Sequence, residues 1–142
     1  MREILFRGQQ RKKGEKVRLD GSPVESSWFY GNGVLQSRGQ SSIIYQTEPV
    51  FSKHSVYSDT LGQYTGVTDK NGNKIFEGDI VRYGDTIHEV VFEQRNGTAY
   101  FGLVYSEAET LPFGHYQDLR QIEVIGNIYD NHELLEDGEK DD

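Results

Sequence analysis

Two carboxylates that flank a glycine in the middle of the chain are the residues whose spacing could support acid–base chemistry. They are Glu77 and Asp79, and Asp85 and Glu89 follow nearby. A hydrolase needs one carboxyl group that stays protonated beside an ionised partner. A carboxylate that directly follows a glycine more simply accepts backbone N–H groups in a turn. The turn interpretation is favoured, and no catalytic residue is predicted.

Metal, thiol and phosphate chemistry find no support in the residue pattern. The four histidines, at positions 54, 88, 115 and 132, are far apart, whereas zinc ligands usually include closely spaced pairs. Cysteine is absent, so thiolate ligands, thiol nucleophiles and disulfides are excluded. The chain contains neither a Gly-x-Ser-x-Gly elbow nor a Gly-Lys-Ser/Thr phosphate loop. The sequence therefore predicts a protein without a cofactor or metal and without enzymatic activity.

Aromatic side chains are the more informative group. The chain has nine Tyr, seven Phe and one Trp, which is more than a small core usually absorbs. Exposed aromatic rings are enriched at protein interfaces, and they can also stack on the bases of a single strand. The net charge of −8 favours the protein interface, because nucleic-acid binding draws its affinity from basic residues. Self-association is predicted.

The charge is unevenly distributed, which keeps a nucleic-acid alternative open. Residues 1–60 hold nine Lys and Arg against six Asp and Glu, whereas residues 61–142 hold six against seventeen. The alternative function is a nucleic-acid-associated accessory protein that contacts phosphates through a basic N-terminal segment. That segment comprises Arg2, Arg7, Arg11, Lys12, Lys13, Lys16 and Arg18.

Short apolar or alternating runs separated by glycine-rich turns predict a mainly β chain. Asn71-Gly72 and Asn96-Gly97 each predict a hairpin, because both central residues of a type I′ turn need positive φ. Gly31-Asn32-Gly33 is interpreted as a third hairpin turn. Residues 47–59 and 106–114 have no clear period and are predicted to be irregular connections. The predicted strands cover residues 3–7, 16–20, 28–30, 33–36, 42–46, 63–67, 74–76, 80–83, 87–93, 98–105 and 121–126.

The strand spacing after residue 79 predicts a small barrel of SH3-like type in the C-terminal half of the chain. The predicted organisation is an N-terminal β-rich subdomain over residues 1–59, the barrel domain with the central hairpin over residues 60–129, and a short helix with an acidic tail over residues 130–142. No apolar run approaches the roughly 20 residues of a membrane span, and no signal-peptide core is present. We expect a cytoplasmic protein without a membrane segment.

The central stretch resembles the signature of the YopX-like family of phage and prophage proteins. Further blocks near both ends of the chain resemble the opening and closing motifs of that family, in the same order. The matching blocks are Arg2-Glu3-Ile4-Leu5-Phe6-Arg7-Gly8, Leu61-Gly62-Gln63-Tyr64-Thr65-Gly66, Asp69-Lys70-Asn71-Gly72, Ile75-Phe76-Glu77-Gly78-Asp79-Ile80-Val81 and Val124-Ile125-Gly126-Asn127-Ile128-Tyr129-Asp130-Asn131.

The resemblance implies a mostly β fold with an SH3-like barrel, expression from a phage or prophage inside a bacterial host cell, and self-association. The leading hypothesis is a self-associating interaction protein, with a host or phage protein as a further partner. It implies no activity. Turn geometry explains Gln63, Tyr64 and Asp69 least, so these three form the candidate binding face, followed by Glu77 and Asp79.

Overall fold

The computed structural model of the chain describes residues 3–10, 28–95, 97–106, 109–113 and 118–135. Antiparallel strands dominate these ranges, which confirms the mainly β prediction, and none of the sheets closes on itself there. The chain divides into two compact units, residues 1–64 and 65–142. The domain limits given by the sequence stay a prediction, and the strand predicted at residues 16–20 lies outside the described residues.

The first unit contains two groups of paired strands. In one group β1 pairs with β2 and with the first residues of β6; in the other, β4 lies between β3 and β5. A fully buried threonine, Thr60, holds the end of β1: its hydroxyl accepts a bond from the Gln9 amide at 2.8 Å and donates to the Tyr57 carbonyl at 2.7 Å. The elements are β1 (Phe6–Gln9), β2 (Trp28–Gly31), β3 (Gly33–Leu35), β4 (Ser41–Gln46), β5 (Ser52–Tyr57), a 3₁₀ turn (Ser58–Thr60) and the start of β6 (Gly62–Thr68).

The hairpin predicted at Gly31-Asn32-Gly33 is wrong. Strands β2 and β3 pair with different partners, β1 and β4, and belong to different sheets. Neither glycine is needed for positive φ. A Cβ on Gly31 would lie 2.3 Å from the carbonyl oxygen of Tyr45, and a Cβ on Gly33 would lie 2.2 Å from the ring of the same tyrosine. The glycines are therefore required by close approach and not by a tight turn.

The sequence predicted residues 47–59 to be an irregular connection, but they contain strand β5. In this strand only Val56 is a fully buried apolar residue, while Lys53 and Ser55 are exposed. The polar majority hides the period of two on which strand prediction depends. Strand β11, within residues predicted to be irregular, was missed for a similar reason: it has four residues and ends at Pro112.

The second unit is built on a five-stranded sheet in the order β11-β10-β9-β8-β12. The rest of β6 pairs with β7 in the hairpin that Asn71-Gly72 predicted, and Gly72 has the expected positive φ of 85°. The core consists of Ile75, Val81, Val90, Leu103 and Ile122, all fully buried. The elements are β7 (Lys74–Phe76), β8 (Asp79–Tyr83), β9 (Thr86–Arg95), β10 (Thr98–Ser106), β11 (Glu109–Pro112), a 3₁₀ turn (Leu119–Gln121) and β12 (Ile122–Asn127).

The described part of the chain ends in three helical residues, 133–135, at the position of the predicted short C-terminal helix. None of the helices within the described ranges is long and apolar enough to cross a membrane.

Candidate functional site

Asp69, one of the five predicted site residues, connects a hairpin turn to a neighbouring strand. Its Oδ1 accepts the backbone N–H groups of Asn71 at 2.9 Å and Asn73 at 2.8 Å. Its Oδ2 accepts the backbone N–H of Val124 on β12 at 2.9 Å and the Asn73 side-chain amide at 3.3 Å. The side chain is 6% exposed. Both oxygens are thus occupied by the fold itself.

Two opposing effects act on the ionisation of Asp69. Burial, the larger single cause, raises the pKa of the carboxyl group, but the hydrogen bonds from Val124, Asn73 and Asn71 together outweigh it and leave the pKa below its usual value. Hydrogen bonds donated to a carboxylate favour its charged form. Asp69 is therefore an ionised structural group and is unsuited to act as a general acid.

Asp79 and Glu77 occupy the turn between β7 and β8. Oδ2 of Asp79 accepts the backbone N–H of Phe76 at 2.7 Å, and Asp79 is 2% exposed. This bond confirms the turn interpretation of Asp79. Glu77 is half-buried, and Gly78 between them has a φ of 91°. This arrangement does not match that of a hydrolase, in which two carboxylates lie on either side of the substrate bond.

The other two predicted residues, Gln63 and Tyr64, lie in the first unit at the start of β6. Gln63 is half-buried and stands opposite Phe6 on β1. Tyr64 is 9% exposed, and its backbone N–H donates to the Leu5 carbonyl at 2.8 Å. Among the five residues, Tyr64, Asp69 and Asp79 are buried, and Asp69 and Asp79 bond to different strands. Their role as a binding face stays a prediction.

The basic segment of the nucleic-acid alternative is mostly outside the described residues. Arg7 on β1 is described: it is 6% exposed, and its guanidinium lies 4.4 Å from the centre of the Trp28 ring. A buried guanidinium stacked on an aromatic face serves packing. The remaining residues, Arg2, Arg11, Lys12, Lys13, Lys16 and Arg18, are not described, and the alternative stays a prediction.

His88 on β9 is a buried histidine with a structural setting. Its Nδ1 donates to the Val104 carbonyl at 2.9 Å, its Nε2 lies 2.7 Å from the Thr86 hydroxyl, and its ring contacts that of Tyr105. Burial lowers the pKa of His88, and the bond to Val104 opposes this only in part. No group of His, Asp and Glu side chains that could hold a metal ion occurs within the described ranges.

An exposed apolar surface on the first unit was not found by sequence reasoning. We call it the apolar patch and define it as Leu35, Ile43, Tyr45 and Phe51. Side chains alternate along a strand, so the burial of Ile44 places its neighbours Ile43 and Tyr45 on the opposite, outer face of β4.

The patch is continuous across two strands and a loop. Leu35 on β3 stands directly opposite Ile43 and is 62% exposed. The ring of Phe51, 61% exposed, stacks on that of Tyr45 with centroids 6.4 Å apart. Val50, beside Phe51, is 75% exposed. The signal that could have located the patch is the alternation within β4, which shows that Ile43 and Tyr45 cannot share a face with Ile44.

Two opposite charges border the apolar patch. Lys53 stands opposite Tyr45 on β5, and Glu48 lies in the loop that leads to Phe51. Both side chains are exposed, and neither forms an ion pair with another described residue. The surface thus combines an apolar centre with one acid and one base at its margin.

Comparison with known proteins assigns the chain to a family. The family model described as YopX protein matches residues 10–136. The chain belongs to the YopX family. This confirms the family resemblance of the sequence. No curated protein matches the chain. Among solved structures, protein EF1440 from Enterococcus faecalis is similar at 20% identity and a TM-score of 0.48, with 93% of this chain and 97% of that one covered.

Proposed function

We propose that this YopX-family chain is a phage- or prophage-encoded, cytoplasmic interaction protein without enzymatic activity that self-associates through the apolar patch. The observation that carries the proposal is that exposed Leu35 and Phe51 join half-buried Ile43 and Tyr45 in one continuous surface on the outer face of the β3-β4-β5 sheet. Exposed apolar surface with a polar margin is typical of protein interaction sites. Aromatic anchors supply most of the binding energy at such sites.

The occupant of the apolar patch in this proposal is the same patch of a second copy. In a two-fold interface each surface must complement itself, so that a group on one copy meets its counterpart across the axis in both directions. The margin of the patch meets this requirement, because it carries one base, Lys53, and one acid, Glu48. A two-fold arrangement can pair Lys53 of each copy with Glu48 of the other.

The size of a stable interface sets how much surface must take part. A standard interface buries roughly 800 Å² on each partner, which is more than four side chains supply. The contact therefore extends over Val50 and the loop that carries Glu48. The edges of the sheet add to the contact. Strands β3 and β5 are its outer strands, and they present backbone groups that another chain can reach.

The five-stranded sheet of the second unit supports the finer assignment to an SH3-like barrel. Four strands follow one another as a meander, β8 to β11, and β12 returns beside β8 after a 3₁₀ turn. This strand order is that of SH3-like barrels. In the proposal this unit is the scaffold, and the first unit provides the contact surface.

Light scattering coupled to size-exclusion chromatography tests the proposal. We expect twice the monomer mass at micromolar concentration for the natural chain. Phe51→Ser removes an aromatic side chain whose full burial contributes about 1.5–3 kcal/mol to the free energy of association. Since a two-fold dimer contains the substitution twice, its Kd should rise roughly 100-fold or more.

The matched control is Phe92→Ser in the second unit, where Phe92 is 43% exposed and packs edge-on against Phe101 at 5.0 Å. This variant should keep the dimer mass. A monomeric natural chain at 100 µM, or equal dissociation of the two variants, would overturn the proposal.

A further inference from the structure

A cleft in the first unit, with both polar and apolar lining surface, is separate from the residues of the apolar patch. It lies between the β3–β4 connection and the 3₁₀ turn after β5, and its volume is about 570 Å³. Sites for small molecules usually measure about 300–1,000 Å³. The residues that line it are Gln36, Ser37, Arg38, Gly39, Gln40, Tyr57, Ser58 and Asp59.

The base of this cleft is fixed by hydrogen bonds between its two walls. The Ser58 backbone N–H donates to the Gln40 carbonyl at 2.7 Å, and the hydroxyls of Ser42 and Ser58 are 2.6 Å apart. Ser42 is 2% exposed and also accepts the backbone N–H of Ser37 at 3.0 Å. The Ser37 hydroxyl accepts the Gly39 N–H at 3.0 Å. These polar groups hold the walls in place, so the cleft is preformed.

Four of the side chains that line the cleft, which we call its rim, have no partners among the described residues. The amides of Gln36 and Gln40, the guanidinium of Arg38 and the carboxylate of Asp59 form no hydrogen bond or ion pair there. Arg38 and Asp59 thus line one cleft with opposite charges and do not neutralise each other. Tyr57 is the aromatic residue among those that line the cleft.

We propose that this cleft binds a neutral saccharide of one or two rings. Each sugar hydroxyl both donates and accepts a hydrogen bond, so a diol can satisfy donors such as Arg38 and acceptors such as Asp59 together. A ligand with a single charge would satisfy one of these residues and face a like charge on the other. The C–H face of a sugar ring fits against the ring of Tyr57, which presents an apolar body with a polar tip.

Chemical-shift mapping on the ¹⁵N-labelled full chain tests this site. The probes are maltose, cellobiose, lactose and N,N′-diacetylchitobiose, each titrated to 20 mM. We expect at least one of them to shift amide signals of residues 36–40 and 57–59 with a Kd between about 0.1 and 10 mM. Absence of shifts with all four sugars, or shifts confined to other residues, would overturn the proposal.

Charge-neutral variants of the rim separate binding from folding. Arg38→Gln and Asp59→Asn should each raise the Kd at least 10-fold and leave the urea midpoint unchanged, since neither side chain has a partner in the part of the chain that the structure describes. Lys74→Gln and Asp85→Asn, made at exposed positions outside the cleft and the apolar patch, should leave the Kd unchanged. Equal Kd values for all four variants would remove the assignment.

Two charged probes serve as competitors for the same residues. AMP and glycine are titrated under the same conditions, since an anion could engage Arg38 alone and a zwitterion could engage Arg38 and Asp59 together. Shifts of residues 36–40 with either of these probes but with none of the sugars would overturn the saccharide assignment. Binding of a sugar alone supports it. Because these shifts are read independently of the mass, the outcome does not depend on whether the apolar patch forms a dimer.

Discussion

At the scale of single residues, the candidate carboxylates are structural. Sequence reasoning correctly placed Asp79 in a turn, because a carboxylate after glycine is a common turn residue. It could not place Asp69, whose Oδ2 bonds to Val124, 55 positions later in the chain. Local residue patterns carry no information about a partner that only the fold brings near. Asp69, one of the three least explained residues of the central stretch, is therefore an anchor between distant segments.

Asp69→Asn should destabilise the chain by about 2 kcal/mol. The new amide would turn an NH₂ group toward the N–H of Val124 or of Asn73, and a buried donor without an acceptor costs about 1–3 kcal/mol. Urea unfolding at pH 7 measures the change. Asp85→Asn, at an exposed turn position, is the control and should stay within about 0.5 kcal/mol of the natural chain. Equal stability of the two variants would contradict the anchoring role.

The lowered pKa of Asp69 predicts a specific pH dependence. Because the folded pKa lies below the usual value near 3.8, the unfolded chain binds the proton more readily, and stability falls as pH decreases. The contribution is fully present above the unfolded pKa and is lost as pH falls through the folded pKa. Urea midpoints of the natural chain should fall more steeply from pH 5.5 to pH 3 than those of Asp69→Asn. Parallel curves for the two proteins would disprove this assignment.

At the scale of elements, turn chemistry was the most reliable part of the sequence. The Asn71-Gly72 hairpin and the long β9–β10 hairpin are where glycine and asparagine predicted them. The two missed strands were not visible in their own residue patterns, whereas the hairpin wrongly predicted at Gly31-Asn32-Gly33 reflects close packing around two glycines. Strand β5 is mostly polar and β11 has only four residues, so their place in a sheet depends on neighbouring strands.

Gly78 provides a prediction at this scale. It has a φ of 91°, and an added Cβ would lie 2.9 Å from the ring of Tyr129; Gly66 has nearly the same φ, 89°, with nothing within 4 Å. Both alanine variants should lose roughly 1–2 kcal/mol to backbone strain. Gly78→Ala should lose about 1 kcal/mol more, because the buried ring of Tyr129 must move. Thermal unfolding of the two variants measures the difference in their stability. An equal loss of stability would show that the Tyr129 ring moves without a cost in free energy.

At the scale of the whole molecule, composition predicts self-association but does not locate the surface that we propose for it. The abundance of aromatic residues is visible in the sequence, whereas their exposure is not: Tyr64 is buried while Phe51 is exposed. Membership of the YopX family adds no activity to this picture. The apolar patch lies outside the central stretch, on β3, β4 and the loop before β5.

A charge exchange tests the two-fold arrangement of the proposed dimer. Lys53→Glu should weaken the dimer, because it removes both cross-axis pairs and places an acid beside the Glu48 of the other copy. Like charges in close apposition across an interface cost up to several kcal/mol. The double variant with Glu48→Lys should regain most of the affinity, since it restores opposite charges in reversed order. Sedimentation equilibrium at low salt measures the three affinities; if the second substitution restores nothing, this geometry is wrong.

The two glycines beside Tyr45 lead to a prediction about the sequences of related proteins. Gly31 is confined by a backbone oxygen, which every residue at position 45 would retain, whereas the three atoms nearest to a Cβ on Gly33 all belong to the tyrosine side chain. Relatives should therefore keep glycine at position 31 whatever stands at position 45. Position 33 should accept alanine or serine only where position 45 has lost its aromatic ring. Aligned homologues would then show one glycine as invariant and the other as covarying with a residue twelve positions away.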